Sequence, residues 1–239
     1  MRTAAYNVDV ASDRRRCENV PRHILCSNYP GQTMENLACD LDKITELDLD
    51  GFSMYSLINM KEASIDKAQD EVNDERMFFE IAGTMKKRGY HFPELTKMVK
   101  TDRYKYIMNR HKGADTLPLG AGGSVNHLAM MNPIDIDEYA KTIEEFDKRV
   151  GMLFVPEYDN VTVFKGDLQT IHLPRNEAMY GDYNVYLAFR NQLLEDGMIE
   201  FVSDDENYRL TDRGIFWGNT ISRELSALIG CSAPLSSQK

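Results

Sequence analysis

The segment from Ile24 to Ile58, ILCSNYPGQTMENLACDLDKITELDLDGFSMYSLI, decides the fold. It contains two mostly apolar runs of strand length, Ile24 to Cys26 and Phe52 to Ile58, which are typical of buried parallel strands. Between them, Thr33 is suited to cap a helix that ends near Leu47. The apolar residues of that helix recur with the helical period at Met34, Leu37, Leu41 and Ile44. A strand–helix–strand unit makes its two strands neighbours in one parallel sheet, so the sequence predicts an α/β protein.

The stretch from Gly113 to Pro133, GADTLPLGAGGSVNHLAMMNP, is the densest glycine cluster of the chain. Gly120, Gly122 and Gly123 fall within four residues, which is costly unless the backbone must turn at positive φ or approach another group closely. We interpret the stretch as strand, glycine loop and helix start, the arrangement at which α/β proteins bind ligands. GAGG is neither a GxGxxG nor a GxxxxGKS pattern, so on spacing alone a tight turn without a ligand is the favoured interpretation.

Composition excludes several classes of function. The formal net charge of −10 argues against a nucleic-acid partner, because phosphate binding depends on Lys and Arg. No apolar run approaches the roughly 20 residues that span a bilayer, so we expect no membrane partner. The first 17 residues lack the apolar core of a signal peptide, and the four scattered cysteines form no disulfide framework. We therefore expect a cytoplasmic location.

Periodicity predicts three further helices before residue 151 and then two weak strands. The helices are 64–88, 94–110 and 133–150, with a short extended piece at Tyr90 to Phe92. Apolar residues predicted on the buried face of the first helix include Ile65, Ala68, Val72, Phe79, Ala82 and Met85. Those predicted for the third are Ile136, Tyr139, Ala140, Ile143, Phe146 and Val150. The weak strands are Val161 to Phe164 and Thr170 to Leu173.

The C-terminal region has the outline of a winged-helix unit. A helix from Tyr183 to Glu195 precedes a hairpin of Met198 to Val202 and Tyr208 to Leu210, and Thr211 caps a final helix. That helix offers few cations, and the hairpin turn is acidic, so the unit is not expected to bind DNA.

The candidate chemical groups show no familiar spacing. The five histidines and four cysteines follow no metal-ligand pattern, and no GxSxG, HExxH or phosphate-loop motif is present. His127, just after the glycine loop, is the histidine that we would test first, although an ordinary loop role is the stronger interpretation.

Three separated segments together resemble one family. Tyr29 to Thr33, YPGQT, resembles the LPGQT element of the radical-SAM enzymes related to oxygen-independent coproporphyrinogen oxidase. Asp50 to Leu57, DGFSMYSL, resembles the strand that follows it there, and Leu193 to Trp217 resembles the family's C-terminal domain. Gly113 to Gly123 and the RGIFW sequence most resemble the haem-utilisation branch, which contains anaerobilin synthases, haem-degrading methyltransferases. The resemblance covers about residues 29 to 230.

The resemblance implies a partial (β/α)6 barrel that holds a [4Fe–4S] cluster and S-adenosylmethionine, followed by a mostly helical, winged-helix-like C-terminal domain. It implies four segments: an unassigned 1–28, the C-terminal part of the barrel at 29–131, the C-terminal domain at 132–230, and a tail at 231–239. The implied reaction is methylation and opening of a porphyrin ring with release of iron. By position, the residues against S-adenosylmethionine are Ile58, Gly120, Gly122, Gly123 and Ser124. A plain core role for Ile58 stays open.

The chain departs from the family at the cluster. It contains no CxxxCxxC run, and Cys17, Cys26 and Cys39 have the wrong spacing to replace it. We therefore expect no cluster in this chain, no radical generation by it alone, and absence of the first four barrel strands. A fragment, a frame-shifted product or half of a split enzyme remain open, as does a separate chain that carries the missing barrel half. Two other functions also remain open: a coproporphyrinogen oxidase or haem chaperone, and a non-catalytic haem-binding or interaction protein.

Overall fold

The computed structural model describes residues 23–57, 70–101, 104–112, 114, 120–121, 128–130, 132–145, 151–153, 156–174, 183–203 and 207–232. The elements of the first half are β1 His23–Ser27, α1 Met34–Glu46, β2 Gly51–Ser56, α2 Glu71–Lys87, β3 His91–Glu94, β4 Lys97–Val99 and α3 Lys105–His111. Those of the second half are β5 Leu128–Met130, α4 Ile136–Lys141, β6 Gly151–Leu153, α5 Pro156–Gln169, β7 His172–Pro174, α6 Tyr183–Glu195, β8 Ile199–Val202, β9 Asn207–Leu210, α7 Asp212–Phe216 and α8 Gly218–Ser232.

The predicted strand–helix–strand unit is confirmed. β1 and β2 are parallel neighbours, in register from His23 opposite Phe52 to Ser27 opposite Ser56. Thr33 caps α1, because its hydroxyl accepts the backbone N–H of Asn36 and the Asn36 side chain accepts that of Thr33. The local capping signal and the apolar period agree in this segment, which is why its fold can be predicted.

The predicted helix 64–88 begins later than expected. Asp70 has extended backbone dihedrals and caps α2 by accepting the backbone N–H of Asn73, so no helix runs continuously through residue 70. The predicted buried face is confirmed at Ala82 and Met85, but Val72 is 74% exposed. Gly89 has φ +87° directly after the helix, as expected of a residue that ends one.

The helix predicted for 94–110 is wrong over its first half. A two-residue turn joins β3 and β4 into an antiparallel hairpin, and β4 pairs with β2, giving a sheet of order β1-β2-β4-β3. The extended piece predicted at Tyr90 to Phe92 continues through Pro93 as β3. Only α3 remains helical, and it begins after Tyr104. The sequence misled because β4 is buried on both faces and so shows no alternation of polar and apolar residues.

The two faces of this sheet have different surroundings. Phe52 and Met54 face the core with Leu25, where α1 and α2 pack. Because side chains alternate along a strand, Ile24 and Tyr55 face the other side. There Ile24 is 68% exposed and Tyr55 is also exposed. We call this second side of the sheet the open face.

The helix predicted for 133–150 is shorter and has the wrong buried face. Asp135 caps α4 by accepting the backbone N–H of Glu138, so Pro133 lies before the helix rather than in its first turn. The helix ends at Thr142, and both Ile136 and Ile143 are exposed. Gly151 begins β6, which pairs antiparallel with β5, and residues 146–150 lie outside the described residues.

The C-terminal region contains a three-stranded antiparallel sheet of order β7-β9-β8. The predicted helix from Tyr183 to Glu195 and the following hairpin are confirmed. The strand predicted at Val161 to Phe164 is wrong, because these residues lie in α5. The strand predicted at Thr170 to Leu173 is confirmed in its second half, because β7 begins at His172 after a turn. The final helix is split at Trp217, and α8 continues to Ser232, two residues into the predicted tail.

One hydrophobic core joins the two halves of the chain. The Phe78 ring of α2 lies 5.3 Å from the Phe216 ring of α7, and Lys86 forms an ion pair with Asp212. The turn of the β3–β4 hairpin contributes as well, since the Leu95 N–H donates to the Gln169 carbonyl at the end of α5. Within the described segments, no helix is both long and apolar enough to cross a membrane.

Candidate functional site

Buried polar groups gather at the carboxyl ends of β1 and β2. Ser27, Asn28 and Gln32 are all buried there. The Leu57 N–H donates to the Ser27 carbonyl at 2.9 Å and joins the two strand ends. Asn28 has φ +62°, a left-handed conformation that asparagine tolerates better than most residues. This is the edge at which α/β sheets present their ligand-binding loops.

The YPGQT turn is held against this edge by its own polar groups. The Gln32 side-chain amide donates to the Cys26 carbonyl at 3.4 Å, and the Gln32 N–H donates to the Tyr29 carbonyl. Gly31 supplies the positive φ of +75° that the turn requires. Burial, with the nearby charge of Asp40, raises the pKa of Tyr29, and a hydrogen bond with Gln32 opposes that shift.

A carboxyl group of α2 lies beside the end of β2. Burial raises the pKa of Asp74 above its ordinary value, and a hydrogen bond with Ser56 partly opposes the shift. Asp74 lies in the first turn of α2, where the helix dipole favours a negative charge. The arrangement places a carboxyl group next to the Ser56 hydroxyl at the carboxyl end of β2.

Gly120 is the one predicted site residue within the described segments, and two side chains hold it. Its N–H donates to the Tyr139 hydroxyl at 3.1 Å, and its carbonyl accepts from the Asn132 side-chain amide at 2.9 Å. Asn132 is buried, and Gly120 has φ +99°, which side-chain-bearing residues rarely adopt. A Cβ at Gly120 would meet nothing within 4 Å, so the space beside it is open.

These contacts modify the expected role of Gly120. Its N–H is used internally, so in this conformation Gly120 shapes the loop rather than offering its own donor. The open space beside its Cα leaves room for another group to approach the backbone. Ile58, Gly122, Gly123 and Ser124 lie outside the described residues, as does His127, and their predicted roles stay predictions.

The described residues do not form a metal centre. No three His, Cys, Asp or Glu side chains among them are grouped so as to hold a metal ion. Cys26 and Cys39 are exposed free thiols, one on β1 and one on α1. The residues described here therefore do not fit a [4Fe–4S] cluster, which needs cysteine thiolates.

Sequence reasoning missed a second polar group of residues, on the open face at the β3–β4 hairpin. Lys97 begins β4 directly opposite Glu94, and both are buried. Tyr104 and His111 of the following segment lie against them. The helix predicted for 94–110 made Lys97 look like a surface lysine. A signal in the sequence is Pro93, which is unfavourable inside a helix and compatible with an edge strand.

The fold and this strand edge define a mixed α/β protein whose parallel strands end in polar loops. No protein-family model matches the chain, and no curated protein matches it. Among solved structures, coproporphyrinogen III oxidase (HemN) from Escherichia coli, described as a radical SAM enzyme, has a similar fold with a TM-score of 0.66. The similarity covers 87% of this chain and 55% of that chain at 15% sequence identity, so this chain spans about half of that protein.

Proposed function

We propose that this chain is part of a radical-SAM enzyme of the coproporphyrinogen-oxidase-like group, acting on a porphyrin within the haem-utilisation branch. The observation that carries the proposal is the similarity in fold to coproporphyrinogen III oxidase over 87% of the chain. The YPGQT, DGFSMYSL and GADTLPLGAGG motifs, in family order, support the same assignment. In this proposal β1 and β2 are the last two strands of a partial (β/α)6 barrel, and residues 132–230 form the winged-helix-like domain.

The residues of this chain would form one wall of the S-adenosylmethionine site. Gly120, Gly122, Gly123 and Ser124 would lie along the ligand, with Ile58 packing on the adenine. When bound next to a reduced cluster, S-adenosylmethionine supplies the carbon radical that methylates and opens the porphyrin in that branch. We assign the cluster to another part of the enzyme, on the same or a separate polypeptide, in a cytoplasmic compartment. The chain alone would then be inactive.

The S-adenosylmethionine wall can be tested by calorimetric titration of the purified chain. Gly120→Ala should weaken binding, because a Cβ at φ +99° forces the loop to rearrange. Gly89→Ala is the matched control: its φ is +87° and a Cβ there also meets nothing within 4 Å. Both variants should lose similar stability, but only Gly120→Ala should lose affinity. Equal affinity in the two variants would remove the loop assignment.

The cluster assignment has two direct tests. The first is the DNA upstream of Met1, where a CxxxCxxC sequence in any frame would identify the missing half. The second is anaerobic reconstitution with iron and sulfide, followed by absorption and Mössbauer spectra. A stoichiometric [4Fe–4S] cluster on this chain would contradict our assignment of the cluster to another part of the enzyme.

The open face of the sheet favours a second candidate, a non-catalytic haem-binding protein. Ile24 and Tyr55 present exposed apolar surface there, which a planar ligand could cover. A coproporphyrinogen oxidase or a haem chaperone would use the same surface. Haem titration followed in the Soret band tests this candidate, and the absence of a saturable shift would remove it.

A further inference from the structure

The β3–β4 hairpin buries a lysine on the ligand-facing side of the sheet. Lys97 is 1% exposed and lies opposite Ser53 of β2, whereas its neighbour Met98 lies opposite Phe52 in the core. Because side chains alternate, Lys97 belongs to the open face rather than to the hydrophobic core. Lysine is almost never fully buried, since removing an ammonium from water costs free energy unless other groups compensate.

The carboxylate beside Lys97 has other partners. Glu94 is buried and accepts a hydrogen bond from the Thr96 hydroxyl at 3.0 Å. Its second oxygen lies 3.5 Å from Nε2 of His111, within ion-pair distance when that imidazole is protonated. Glu94 would therefore keep compensating contacts if the Lys97 ammonium turned toward a different acceptor.

Tyr104 covers Lys97 from a strained backbone position. The Lys97 ammonium lies 3.2 Å from the centroid of the Tyr104 ring, a cation–π contact. Tyr104 has φ +42° and ψ +45°, a left-handed conformation that is strained for a residue other than glycine. Its side chain makes no capping hydrogen bond at the start of α3. A residue in this position can change conformation with release of strain.

The open face connects this lysine to exposed apolar surface. Ile24, Ser53 and Lys97 occupy one row across β1, β2 and β4. With strands about 4.8 Å apart, the row is roughly 10 Å wide, comparable with a large planar ligand. Tyr55 lies two residues further along β2, on the same side.

We propose that Lys97 is a carboxylate-binding residue for a porphyrin, covered by Tyr104 in the ligand-free protein. The apolar ring lies over Ile24 and Tyr55, and one of its acidic side chains displaces Tyr104 to reach the ammonium. This inference rests on the proposed porphyrin function. It adds the residue that distinguishes a porphyrin with free carboxylates from its ester.

The first test measures binding of protoporphyrin IX and of its dimethyl ester by fluorescence. Lys97→Met should weaken binding of the free acid about tenfold or more, as loss of a charge-assisted hydrogen bond does, while leaving the ester unaffected. Lys97→Arg should bind nearly as well as the natural chain. Lys100→Met is the matched control, because Lys100 lies just beyond β4 on the opposite side, bonded to Asp48.

A second variant separates binding from folding. Lys97→Met alone leaves the buried Glu94 carboxylate without the positive charge beside it, which could destabilise the protein. The double variant Glu94→Gln/Lys97→Met makes both side chains neutral and should show the same loss of affinity. Amine-selective labelling with mass spectrometry reports the cover directly: Lys97 should be protected in the natural chain and labelled in Tyr104→Gly. Porphyrin should then restore its protection in that variant.

The outcomes distinguish the two proposals. If protoporphyrin binds but affinity is the same in Lys97→Met, in the double variant and in the natural chain, the role of Lys97 is refuted and the porphyrin function stands. If neither the acid nor the ester binds, both proposals fail. If Lys97 and Lys100 are labelled equally in the natural chain, Tyr104 does not cover Lys97.

Discussion

Adding one methyl group at Gly166 should destabilise the protein, although glycine is usually unfavourable inside a helix. Gly166 lies in α5, where the helix passes the end of α3. A Cβ at this position would lie 2.0 Å from the backbone carbonyl oxygen of His111 and 3.1 Å from its carbonyl carbon. Ordinary contacts begin at 3.4 Å, so α3 or α5 must shift by roughly 1.4 Å to accept it. Backbone atoms cannot rotate away as a side chain can.

The magnitude follows from comparison with a second helical glycine. Gly83 lies in α2, and a Cβ there would meet nothing within 4 Å. Gly83→Ala should therefore stabilise by about 0.5–1 kcal/mol, the ordinary helix effect. Gly166→Ala gains the same term but suffers overpacking, which costs about 1–3 kcal/mol or more. Because the helix term is common to both alanine variants, they should differ by the overpacking cost alone, about 1–3 kcal/mol or more.

Circular dichroism melting measures this difference. For a chain of this size, 1 kcal/mol corresponds to about 2–4 °C, so the two melting temperatures should differ by roughly 2–12 °C. Gly83→Ala should lie above the natural chain and Gly166→Ala below it. A Gly166→Ala protein that melts at or above the natural chain would show that α5 does not pass this close to His111. In that case the placement of His111 beside Glu94 would also lose its support.

Three further predictions concern the edges of the site. Asn132→Ala should weaken S-adenosylmethionine binding several-fold, because the Gly120 carbonyl loses the 2.9 Å hydrogen bond that orients the loop. Calorimetric titration measures the affinity, and an unchanged value would count against this role of Asn132. Asp74→Asn should flatten the pH dependence of stability. A carboxyl group whose pKa is raised by folding stabilises the protein fully below its unfolded pKa, and this stabilisation is lost as pH rises through the folded pKa. The natural chain should therefore lose stability from about pH 4 upward, and the variant should lose less. Urea unfolding at pH 4 to 7 measures the difference. Thr33→Ala should cost about 1 kcal/mol, since the Asn36 N–H loses its acceptor, and an unchanged urea midpoint would contradict the capping assignment.

The parts of the fold that could be predicted are those where local signals agree. Thr33, the helical period after it and the flanking apolar runs all specify the same strand–helix–strand unit, and the structure contains it. The helix from Tyr183 to Glu195 is similarly clear because Gly197, at φ +67°, ends it. In both places the chain carries its own start and stop signals, which do not depend on distant contacts.

The parts that could not be predicted depend on tertiary burial. Lys97 gives no sign in the sequence that it is buried, because a charged residue between apolar ones is equally compatible with a helix surface. Ile136 shows the reverse, since its apolar side chain follows the helical period but remains exposed. Which face of an element is covered depends on neighbours far along the chain, and periodicity does not contain that information.

The predicted site also shows what a glycine motif can and cannot specify. The cluster at Gly120 correctly indicated a backbone at positive φ, because few other residues adopt +99°. It gave no indication that Asn132 and Tyr139, 12 and 19 residues later, would form hydrogen bonds with the carbonyl and the N–H of Gly120. Their side chains hold the Gly120 N–H and carbonyl in place, so a ligand that uses this conformation would lose less entropy on binding. In the proposed function, the loop would therefore recognise S-adenosylmethionine by its shape rather than through the Gly120 N–H.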